Sequence, residues 1–254
     1  MITHPNCKIN LGLHVVGKRP DGYHNIETVF LPVGSFCDEL EITLSDTFSF
    51  IQQGIPVDCL PDDNICVKAY RLLLADFPDK VKPVQMRLVK NIPFGAGLGG
   101  GSADAAFALQ MLNTLMGLAL NEETLCRYAA RIGADCPFFI INTPAYATGI
   151  GDQLQPVDVD LSKYRIVIEK PDDAVSTREA YSGLTLRDAA RPDLRTLMQL
   201  HVSEWKGILV NDFEESIFPN HPAIAELKDD MYRRGALYAS MTGSGAAVFG
   251  IFED

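Results

Sequence analysis

A glycine-rich segment near the middle of the chain contains the residues whose types and spacing most directly indicate chemistry. Residues 92–106 read Ile-Pro-Phe-Gly-Ala-Gly-Leu-Gly-Gly-Gly-Ser-Ala-Asp-Ala-Ala, with five glycines between Gly95 and Gly101. Glycine adopts positive φ at little cost and has no side chain to hold a ligand away, so such a loop can turn backbone N–H groups toward an anion. Apolar residues at helical spacing follow, with Ser102 as the predicted N-cap. The segment therefore predicts a phosphate site at a helix N-terminus.

Two common phosphate-binding motifs do not fit this loop. A P-loop needs Lys followed by Ser or Thr after its last glycine, whereas Gly101 is followed by Ser-Ala. The spacing from Gly95 matches the dinucleotide pattern G-x-G-x-x-G. However, Val84–Lys90 alternates like a half-exposed antiparallel strand, and Pro93 separates it from the loop. A flexible linker is disfavoured because an amphipathic helix follows at once.

The polar face of the first predicted strand offers a second set of groups. In the alternating segment from Lys8 to Val16, the side chains of Lys8, Asn10 and His14 share one face, and apolar residues occupy the other. The strand thus presents a cation and an amide side by side. Two interpretations remain open at this point: an ordinary solvated strand face, or a charged group directed at a ligand.

Two short segments in the second half of the chain add a carboxylate and another glycine-rich turn. Asp135 follows the predicted end of a helix at Gly133 and precedes Pro137. It is either the cap of a new helical turn or a base close to a positive helix end. Residues 241–247, Met-Thr-Gly-Ser-Gly-Ala-Ala, lie between two apolar strands, and alone they also fit an ordinary hairpin turn.

The elements that must position these residues follow an α+β pattern. Hydrophobic periodicity predicts strands near 7–16, 26–33, 38–51, 84–90, 145–149, 165–169, 237–241 and 246–252. It predicts helices near 64–76, 102–117, 122–132, 177–182, 193–201, 203–210 and 222–234. The periodicity lapses between Gln155 and Lys163, which indicates a crossover, and the predicted domains are therefore 1–154 and 155–254.

The strand around Lys8, the loop at 93–106 and the turn at 242–246 resemble, in this order, the three motifs of the galactokinase, homoserine, mevalonate and phosphomevalonate (GHMP) kinase superfamily. The resemblance extends from about residue 5 to residue 250. It implies a two-domain α+β fold with a ribosomal-S5-like N-terminal domain, a ferredoxin-like C-terminal domain and the active site in the cleft. It also implies an ATP-dependent small-molecule kinase with ATP and Mg²⁺ as cofactors.

The same resemblance implies roles for individual residues on the nucleotide side. Asp135 is expected to accept the proton of the substrate hydroxyl, and Lys8 to keep Asp135 ionised and to favour the forming alkoxide. Ser102 is the expected Mg²⁺ contact. Asp104 stands where relatives often have Asn, which is a departure from the family pattern. The expected nucleotide contacts are Asn64, Lys90, Pro93, Phe94, Gly95, Ala96, Gly97, Leu98, Gly99, Gly100, Gly101, Ser102, Ala103 and Asp104.

On the substrate side, the Asp-Gly-Tyr-His turn and the Gly-Ala-Asp-x-Pro segment resemble one kind of GHMP kinase. Those members phosphorylate a hydroxyl of a cytidine diphosphate derivative in the non-mevalonate isoprenoid pathway. The resemblance places Tyr23 against the cytosine ring, His24 at its hydrogen-bonding edge and Tyr181 on the other face of the ring. It adds Asn10 and Thr177 as further substrate contacts. For Tyr181, packing on a helix face remains the alternative.

Composition restricts the possible partners and the compartment. The chain has 254 residues, with 33 Asp+Glu against 22 Lys+Arg and a net charge of −11. Such an acidic protein is a poor candidate for binding nucleic acid or an anionic membrane. The six cysteines show neither a Cys-x-x-Cys pair nor zinc spacing, and no segment resembles a signal peptide or a membrane span. We therefore expect a cytoplasmic monomer or weak homodimer with reduced thiols.

Two alternative functions remain. The first is another GHMP-type kinase acting on mevalonate, homoserine or a sugar, against which the pair Tyr23 and His24 argues. The second is a non-catalytic nucleotide-binding sensor of the same fold, which would not need both Lys8 and Asp135. The chain ends at 252–254 on a predicted strand, where relatives usually carry another helix, so a short or truncated form is expected.

Overall fold

The computed structural model describes residues 1–57, 60–186 and 191–254. Their contacts separate into two units that are not consecutive halves of the chain. Unit 1 consists of Met1–Cys7, Pro32–Phe94 and Gly99–Thr143, and unit 2 of Lys8–Leu31, Gly95–Leu98 and Pro144–Asp254.

The strands are β1 (Ile2–Thr3), β2 (Asn6–Lys18), β3 (His24–Cys37), β4 (Glu39–Leu44), β5 (Ser49–Gly54), β6 (Val84–Lys90), β7 (Ala145–Thr148), β8 (Gln153–Pro156), β9 (Tyr164–Glu169), β10 (Tyr238–Met241) and β11 (Val248–Glu253). The helices are α1 (Ile65–Asp76), α2 (Gly100–Leu115), α3 (Glu122–Ala130), α4 (Cys136–Ile141), α5 (Thr177–Ser182), α6 (Leu194–Leu197), α7 (Phe213–Ile217) and α8 (Pro222–Arg233). Short 3-10 helices lie at Pro61–Asp63 and Val202–Glu204.

The division into units differs from the predicted boundary between residues 154 and 155. The N–H of Leu13 donates to the carbonyl of Val210, and the N–H of Asp212 donates to the carbonyl of Leu13, both at 2.9 Å. These bonds join the hairpin of β2 and β3 to residues about two hundred positions later. Pairing over such a distance leaves no local periodicity, so the sequence pattern could not indicate it.

Unit 1 contains a sheet with the strand order β1-β4-β6-β5. β4 pairs with β6 antiparallel, and β5 pairs with β6 parallel. Along β6, the alternate residues Val84, Met86, Leu88 and Lys90 are buried, as the two-residue period of a strand requires when one face is covered. The helices α1 to α4 pack on one another, and α2 also contacts β4. The alternation directs Lys90 inward at the end of the strand that leads into the glycine-rich loop.

Unit 2 contains the antiparallel sheet β10-β11-β9, and its residues also form most of the sheet β2-β3-β7-β8. Helix α8 packs on β10 and β11, and α5 packs on α7. Gly235, with φ +95°, follows α8 as predicted. The core of this unit includes Leu13, Val15, Phe213, Ile217, Ile224, Met231, Val248 and Phe252.

Most predicted elements are confirmed to within a few residues, and two predictions are wrong. The predicted strand at 38–51 is two strands, β4 and β5, and only β5 runs parallel to β6. The predicted helix at 203–210 is a 3-10 helix at Val202–Glu204 followed by a turn, where Gly207 adopts φ +84° and stops helical growth. The short helices α4 and α7 were not predicted. No helix in the described ranges is long and apolar enough to cross a membrane.

Candidate active site

The helix after the glycine-rich loop begins two residues earlier than predicted. α2 starts at Gly100, and its N-cap is Gly99, which adopts φ 71° and ψ 14° in the left-handed region. Ser102 therefore lies inside the first turn, and the prediction that it is the N-cap is wrong. A glycine N-cap has no side chain, so no side-chain cap bond occupies the first N–H groups of the helix. These groups and the positive end of the helix dipole are suited to bind an anion.

Part of the glycine-rich loop lies backbone against backbone on the turn between β10 and β11. A Cβ atom on Gly97, whose φ is +78°, would lie 2.0 Å from the carbonyl oxygen of Thr242. A Cβ atom on Gly245 would lie 2.2 Å from the carbonyl carbon of Ala96. Only glycine permits this approach at both positions. The turn is a hairpin connection, and it also supports the loop.

Lys8 is buried in unit 2 instead of lying on a solvated strand face. It is only 4% exposed. Its Nζ donates to Oδ1 of Asn10 at 2.9 Å and to the carbonyl oxygen of Gly97 at 3.3 Å. The same atom lies 4.5 Å from the centroid of the Phe30 ring. The solvated-face interpretation is therefore wrong, and the ammonium group is directed at the backbone of the loop.

The amide of Asn10 is engaged by protein groups at both ends. Its Oδ1 accepts hydrogen bonds from Lys8 and, at 3.1 Å, from the hydroxyl of Thr242. Its Nδ2 donates to Oγ1 of Thr28 at 2.9 Å. Because Asn10 is buried and these bonds occupy its amide, we interpret it as a residue that holds Lys8 and Thr242 in place. Direct contact of Asn10 with a substrate stays a prediction.

The turn between β10 and β11 is held from two further sides in unit 2. The Nδ2 group of Asn211 donates to the carbonyl oxygens of Met241 and Gly243, at 2.8 and 3.0 Å. The hydroxyl of Ser244 donates to Oγ1 of the exposed Thr177 at 3.2 Å, so this predicted substrate residue lies at the turn. Sequence reasoning assigned no role to Asn211.

Within unit 1, Asp135 and Ser102 both lie beside Cys136. Asp135 occupies the N-cap position of α4, but its side chain makes no cap hydrogen bond. The hydroxyl of Ser102 hydrogen-bonds the thiol of Cys136. Burial raises the pKa of this thiol to about 11; the Ser102 hydroxyl opposes the increase and the Asp135 charge adds to it. The capping interpretation of Asp135 therefore does not hold, and the candidate base lies close to the first turn of α2.

Lys90 and Asp104, both predicted nucleotide contacts, are buried in an ion cluster with Asp38. Nζ of Lys90 donates to Oδ2 of Asp104 at 2.7 Å and also pairs with Oδ2 of Asp38. Because these groups bind one another, we interpret Lys90 and Asp104 as supports of the loop, and their contact with a nucleotide stays a prediction. Sequence reasoning missed Asp38, which precedes an alternating strand and resembles a surface position. The inward direction of Lys90 was the signal that a buried acid must lie nearby.

The ion cluster makes the stability of the fold depend on pH. Burial raises the pKa of Asp104 from 3.8 to about 8; Lys90 opposes this increase and Asp38 adds to it. Between about pH 4 and pH 8 the folded protein keeps a proton that the unfolded chain has lost, so stability falls as pH rises through this window.

Asp104→Asn is therefore expected to gain stability over the wild type as pH rises, because asparagine has no proton to retain. The difference in the free energy of unfolding should grow by about 1.4 kcal/mol for each pH unit within the window. Urea unfolding of both proteins at pH 5, 7 and 9 measures it. A difference that stays constant with pH would contradict the raised pKa.

Asn64 caps α1 as predicted, and a cavity lies directly before it. Oδ1 of Asn64 accepts a hydrogen bond from the N–H of Cys66 at 2.9 Å. The N–H of Ile55 donates to the carbonyl of Lys90 at 2.9 Å, so the cavity wall is joined to the end of β6. The cavity has a volume of about 420 Å³, within the usual range for small ligands, and is lined by Phe50, Gln52, Gln53, Gly54, Pro56, Val57 and Pro61.

The remaining loop residues differ in what they expose. Phe94 is 78% exposed. Gly95 has φ +68°, and open space surrounds the Cβ positions of Gly95 and Gly101. The residues that are buried or half-buried are Pro93, Ala96, Leu98 and Ala103. The buried side chains thus anchor the loop, and the open space at Gly95 and Gly101 leaves the backbone accessible at these two positions.

The structure brings together two of the predicted substrate residues in unit 2. The rings of His24 and Tyr181 stack with centroids 4.6 Å apart and an interplanar angle of 20°. The rings of Tyr181 and Phe213 are nearly perpendicular, with centroids 4.8 Å apart, so Tyr181 packs on the core of unit 2 and also presents one face to His24. Tyr23, the neighbour of His24, is 62% exposed, and its ring is accessible to a ligand.

The oxygen donors near the start of α2 fit a metal ion that arrives with a nucleotide. Within the described parts of the chain, no group of three or more His, Cys, Asp or Glu side chains could hold a metal. Mg²⁺ in such enzymes takes most of its ligands from phosphates and water, with one or two protein oxygens. The hydroxyl of Ser102 and the carboxylate of Asp135 are donors of this type.

Two family models match the chain. Residues 64–143 match the GHMP kinases N terminal domain, and residues 186–254 match the GHMP kinases C terminal. The first match includes the glycine-rich loop and Asp135, and the second includes the turn between β10 and β11.

Curated relatives cover the whole chain. A protein of Parabacteroides distasonis named 4-diphosphocytidyl-2-C-methyl-D-erythritol kinase is 54% identical, over 100% of this chain and 92% of the relative. A protein of the same name from Bacteroides thetaiotaomicron is 51% identical, again over 100% of this chain and 92% of the relative.

Solved structures of similar fold include a kinase of the same kind as these curated relatives. The crystal structure of a 4-(cytidine 5'-diphospho)-2C-methyl-D-erythritol kinase matches with a TM-score of 0.85 at 31% identity, over 99% of this chain and 90% of that chain. A homoserine kinase from Cytophaga hutchinsonii matches with a TM-score of 0.64 at 16% identity, over 98% of this chain and 85% of that chain, and shares the fold alone. The chain therefore belongs to the GHMP kinases and, within them, to the family of 4-diphosphocytidyl-2-C-methyl-D-erythritol kinases, which are ATP-dependent small-molecule kinases.

Proposed function

We propose that this chain transfers the γ-phosphoryl group of ATP to the 2-hydroxyl of 4-diphosphocytidyl-2-C-methyl-D-erythritol, giving the 2-phosphate and ADP in the non-mevalonate isoprenoid pathway. The observation that carries the proposal is the glycine cradle. Gly97 and Gly245 cross backbone to backbone, and α2 begins on a glycine N-cap. Phosphoryl transfer depends mainly on positioning and on charge stabilisation, and backbone dipoles supply both even in a protein with a net charge of −11.

The nucleotide would bind with its phosphates on the backbone of residues 97–103. The first N–H groups of α2 are suited to hold phosphate oxygens. The ammonium group of Lys8, which contacts the carbonyl of Gly97, would add positive charge at its own part of the loop. The cavity before Asn64 is the proposed place of the nucleoside, because it lies against the strand end that leads into the loop. Ser102 would give one oxygen ligand to Mg²⁺, which neutralises phosphate charge when it is bound.

The chemical step would use Asp135 as the general base. Its carboxylate takes the proton of the substrate 2-hydroxyl as the oxygen forms its bond to the γ-phosphorus and the bond to the β-phosphate oxygen breaks. Asp135 lies at the start of α4 beside Cys136, whose thiol hydrogen-bonds Ser102 in the first turn of α2, so the proposed base is close to the helix end that would hold the phosphates. Lys8 would stabilise the negative charge that develops on the transferred group.

The cytidine part would bind at Tyr23, His24 and Tyr181. The stacked pair of His24 and Tyr181 offers a flat aromatic surface, and the exposed ring of Tyr23 offers a second one. Aromatic surfaces of this kind bind a base by stacking, while the imidazole of His24 supplies hydrogen-bonding groups. Thr177, at the turn between β10 and β11, is the proposed contact of the substrate phosphates.

ADP release with a panel of acceptors tests the proposal. The purified protein is given ATP and Mg²⁺ with 4-diphosphocytidyl-2-C-methyl-D-erythritol, mevalonate, homoserine or galactose. We expect turnover with the cytidine compound and not with the others. Turnover with another member of the panel would assign the chain to that substrate, and binding of ADP without any turnover would favour a sensor.

Tyr23→Ala is expected to lose roughly 1–3 kcal/mol of binding to the cytidine substrate, the usual value of stacking on one base. Because stacking acts in the ground state and in the transition state alike, the loss should appear mainly in KM. Tyr23→Phe keeps the ring and is the matched control. Steady-state kinetics of both variants measure the effect, and a stable Tyr23→Ala protein with unchanged KM would contradict the stacking role.

We further propose that the enzyme works in the cytoplasm as a monomer or weak homodimer. Its proposed reactants are small molecules, and its acidity opposes binding to nucleic acid and to anionic lipid. Light scattering at several protein concentrations tests the oligomeric state.

A further inference from the structure

One carboxylate in unit 1 is connected to both ends of the glycine-rich loop. Oδ1 of Asp38 accepts hydrogen bonds from the N–H groups of Asn91 and Ile92, at 2.6 and 2.8 Å. Its Oδ2 pairs with Nζ of Lys90, which also donates to Asp104 at 2.7 Å. The two N–H groups belong to the residues just before the loop, and Asp104 belongs to the helix just after it. The cluster thus joins the entry and the exit of the loop.

The residues around the ion cluster pack so tightly that a shift of Asp38 would be transmitted to the loop. A Cβ atom on Gly100 would lie 2.7 Å from the side chain of Ile92 and 3.4 Å from Nζ of Lys90, so the first residue of α2 packs directly on the cluster. Asp38 is itself fixed, because its N–H donates to the carbonyl of Pro5 at 2.9 Å. A displacement of Asp38 would therefore move both ends of the loop.

The carboxylate of Asp38 is fully buried, and its two oxygens bind the ammonium group of Lys90 and the N–H groups of Asn91 and Ile92. Charge-assisted hydrogen bonds of this kind are stronger than neutral ones and fix geometry. Removing one partner of a buried ion cluster leaves the other charges without compensation. The cluster therefore offers rigid support to a loop whose five glycines cannot provide rigidity of their own.

We propose that Asp38 is a positioning residue of the phosphate loop: its carboxylate sets the spacing between Asn91–Ile92 and the start of α2, and so holds the loop in the geometry that receives the ATP phosphates. This inference rests on the proposed function, because it takes ATP as the ligand of the loop. The alternative is that the ion cluster is purely structural: it would then stabilise the fold without affecting the affinity for ATP. The two differ in the kinetics of protein that is fully folded.

The test compares Asp38→Asn with Glu39→Gln. Glu39 is the adjacent residue and pairs with Arg87 at 2.9 Å across β4 and β6, but both side chains of this pair are more than a third exposed. At a temperature well below unfolding, Asp38→Asn should raise KM for ATP about tenfold or more, and it should reduce the melting-temperature shift caused by ADP and Mg²⁺. KM for the cytidine substrate should change by less than about twofold, and Glu39→Gln should behave as wild type. An unchanged KM for ATP in folded Asp38→Asn would overturn the proposal.

If Asp38→Asn does not fold, amide hydrogen exchange in the wild-type protein tests the positioning role of Asp38. The N–H groups of Asn91 and Ile92 should exchange as slowly as those inside β6, and more slowly still when ADP and Mg²⁺ are added. Fast exchange at both positions would overturn the role of Asp38 and leave the proposed function intact. Wild-type protein that neither turns over the cytidine compound nor binds ADP would instead contradict the proposed function.

Discussion

Asp135→Asn is expected to lower kcat by about 10²–10⁴-fold, the usual contribution of a positioned general base. The carboxamide keeps the shape of the carboxylate but cannot accept the proton of the substrate hydroxyl. Because asparagine has nearly the same size and shape as aspartate, the variant should fold and should retain the melting-temperature shift that ADP causes. Steady-state ADP release and thermal unfolding measure both properties.

A matched control for this variant is Asp193→Asn. Asp193 is also an N-cap residue, but its side chain does accept a hydrogen bond from the N–H of Arg195. The control should keep nearly all of its stability, because asparagine caps a helix about as well as aspartate, and it should keep its turnover. If kcat of Asp135→Asn is within about tenfold of the wild-type value, Asp135 is not the general base and another group must accept the proton.

Gly97→Ala is expected to abolish the ADP-induced rise in melting temperature and to lower turnover by on the order of 10²-fold or more. The added Cβ would lie 2.0 Å from the carbonyl oxygen of Thr242, and the backbone there has φ +78°, which L residues rarely adopt. The loop would have to move away from the turn between β10 and β11, and its N–H groups would no longer point at the phosphates.

Gly34→Ala is the control for this substitution, because nothing lies within 4 Å of the Cβ position of Gly34 and its φ is not in the left-handed region. Differential scanning fluorimetry with and without ADP and Mg²⁺, together with ADP release, tests both proteins. A Gly97→Ala protein that folds and still shows the full shift would place the phosphates elsewhere.

The form of the loop could be predicted from the sequence because it depends on residue types within a few positions. Glycine density and the helix that follows are local features, and they predicted a glycine-rich loop that leads into a helix N-terminus, which the structure has. The N-cap was placed wrongly for the same reason. Ser102 is a preferred capping residue, whereas the left-handed conformation of Gly99 depends on how the loop approaches α2 and cannot be read from propensity.

The support of the site could not be predicted, since it depends on pairing between distant segments. Asp38 and Lys90 are 52 positions apart and meet because β4 and β6 are neighbours in one sheet. Asn211 reaches the turn between β10 and β11 from about 30 positions earlier in the chain. The sequence identifies the residues whose side chains could take part in catalysis. Only the long-range contacts of the fold identify the residues that support them.

Cys136 has a consequence for the design of inhibitors. Its thiol lies beside Asp135 and Ser102, which makes it an attractive target for an electrophile directed at the phosphate loop. However, the thiol is fully buried and its pKa is about 11, so only about one molecule in 10⁴ carries the reactive thiolate at pH 7. Proximity to the chemistry does not make this cysteine reactive, and covalent warheads aimed at it would depend on an opening of the structure rather than on its nucleophilicity.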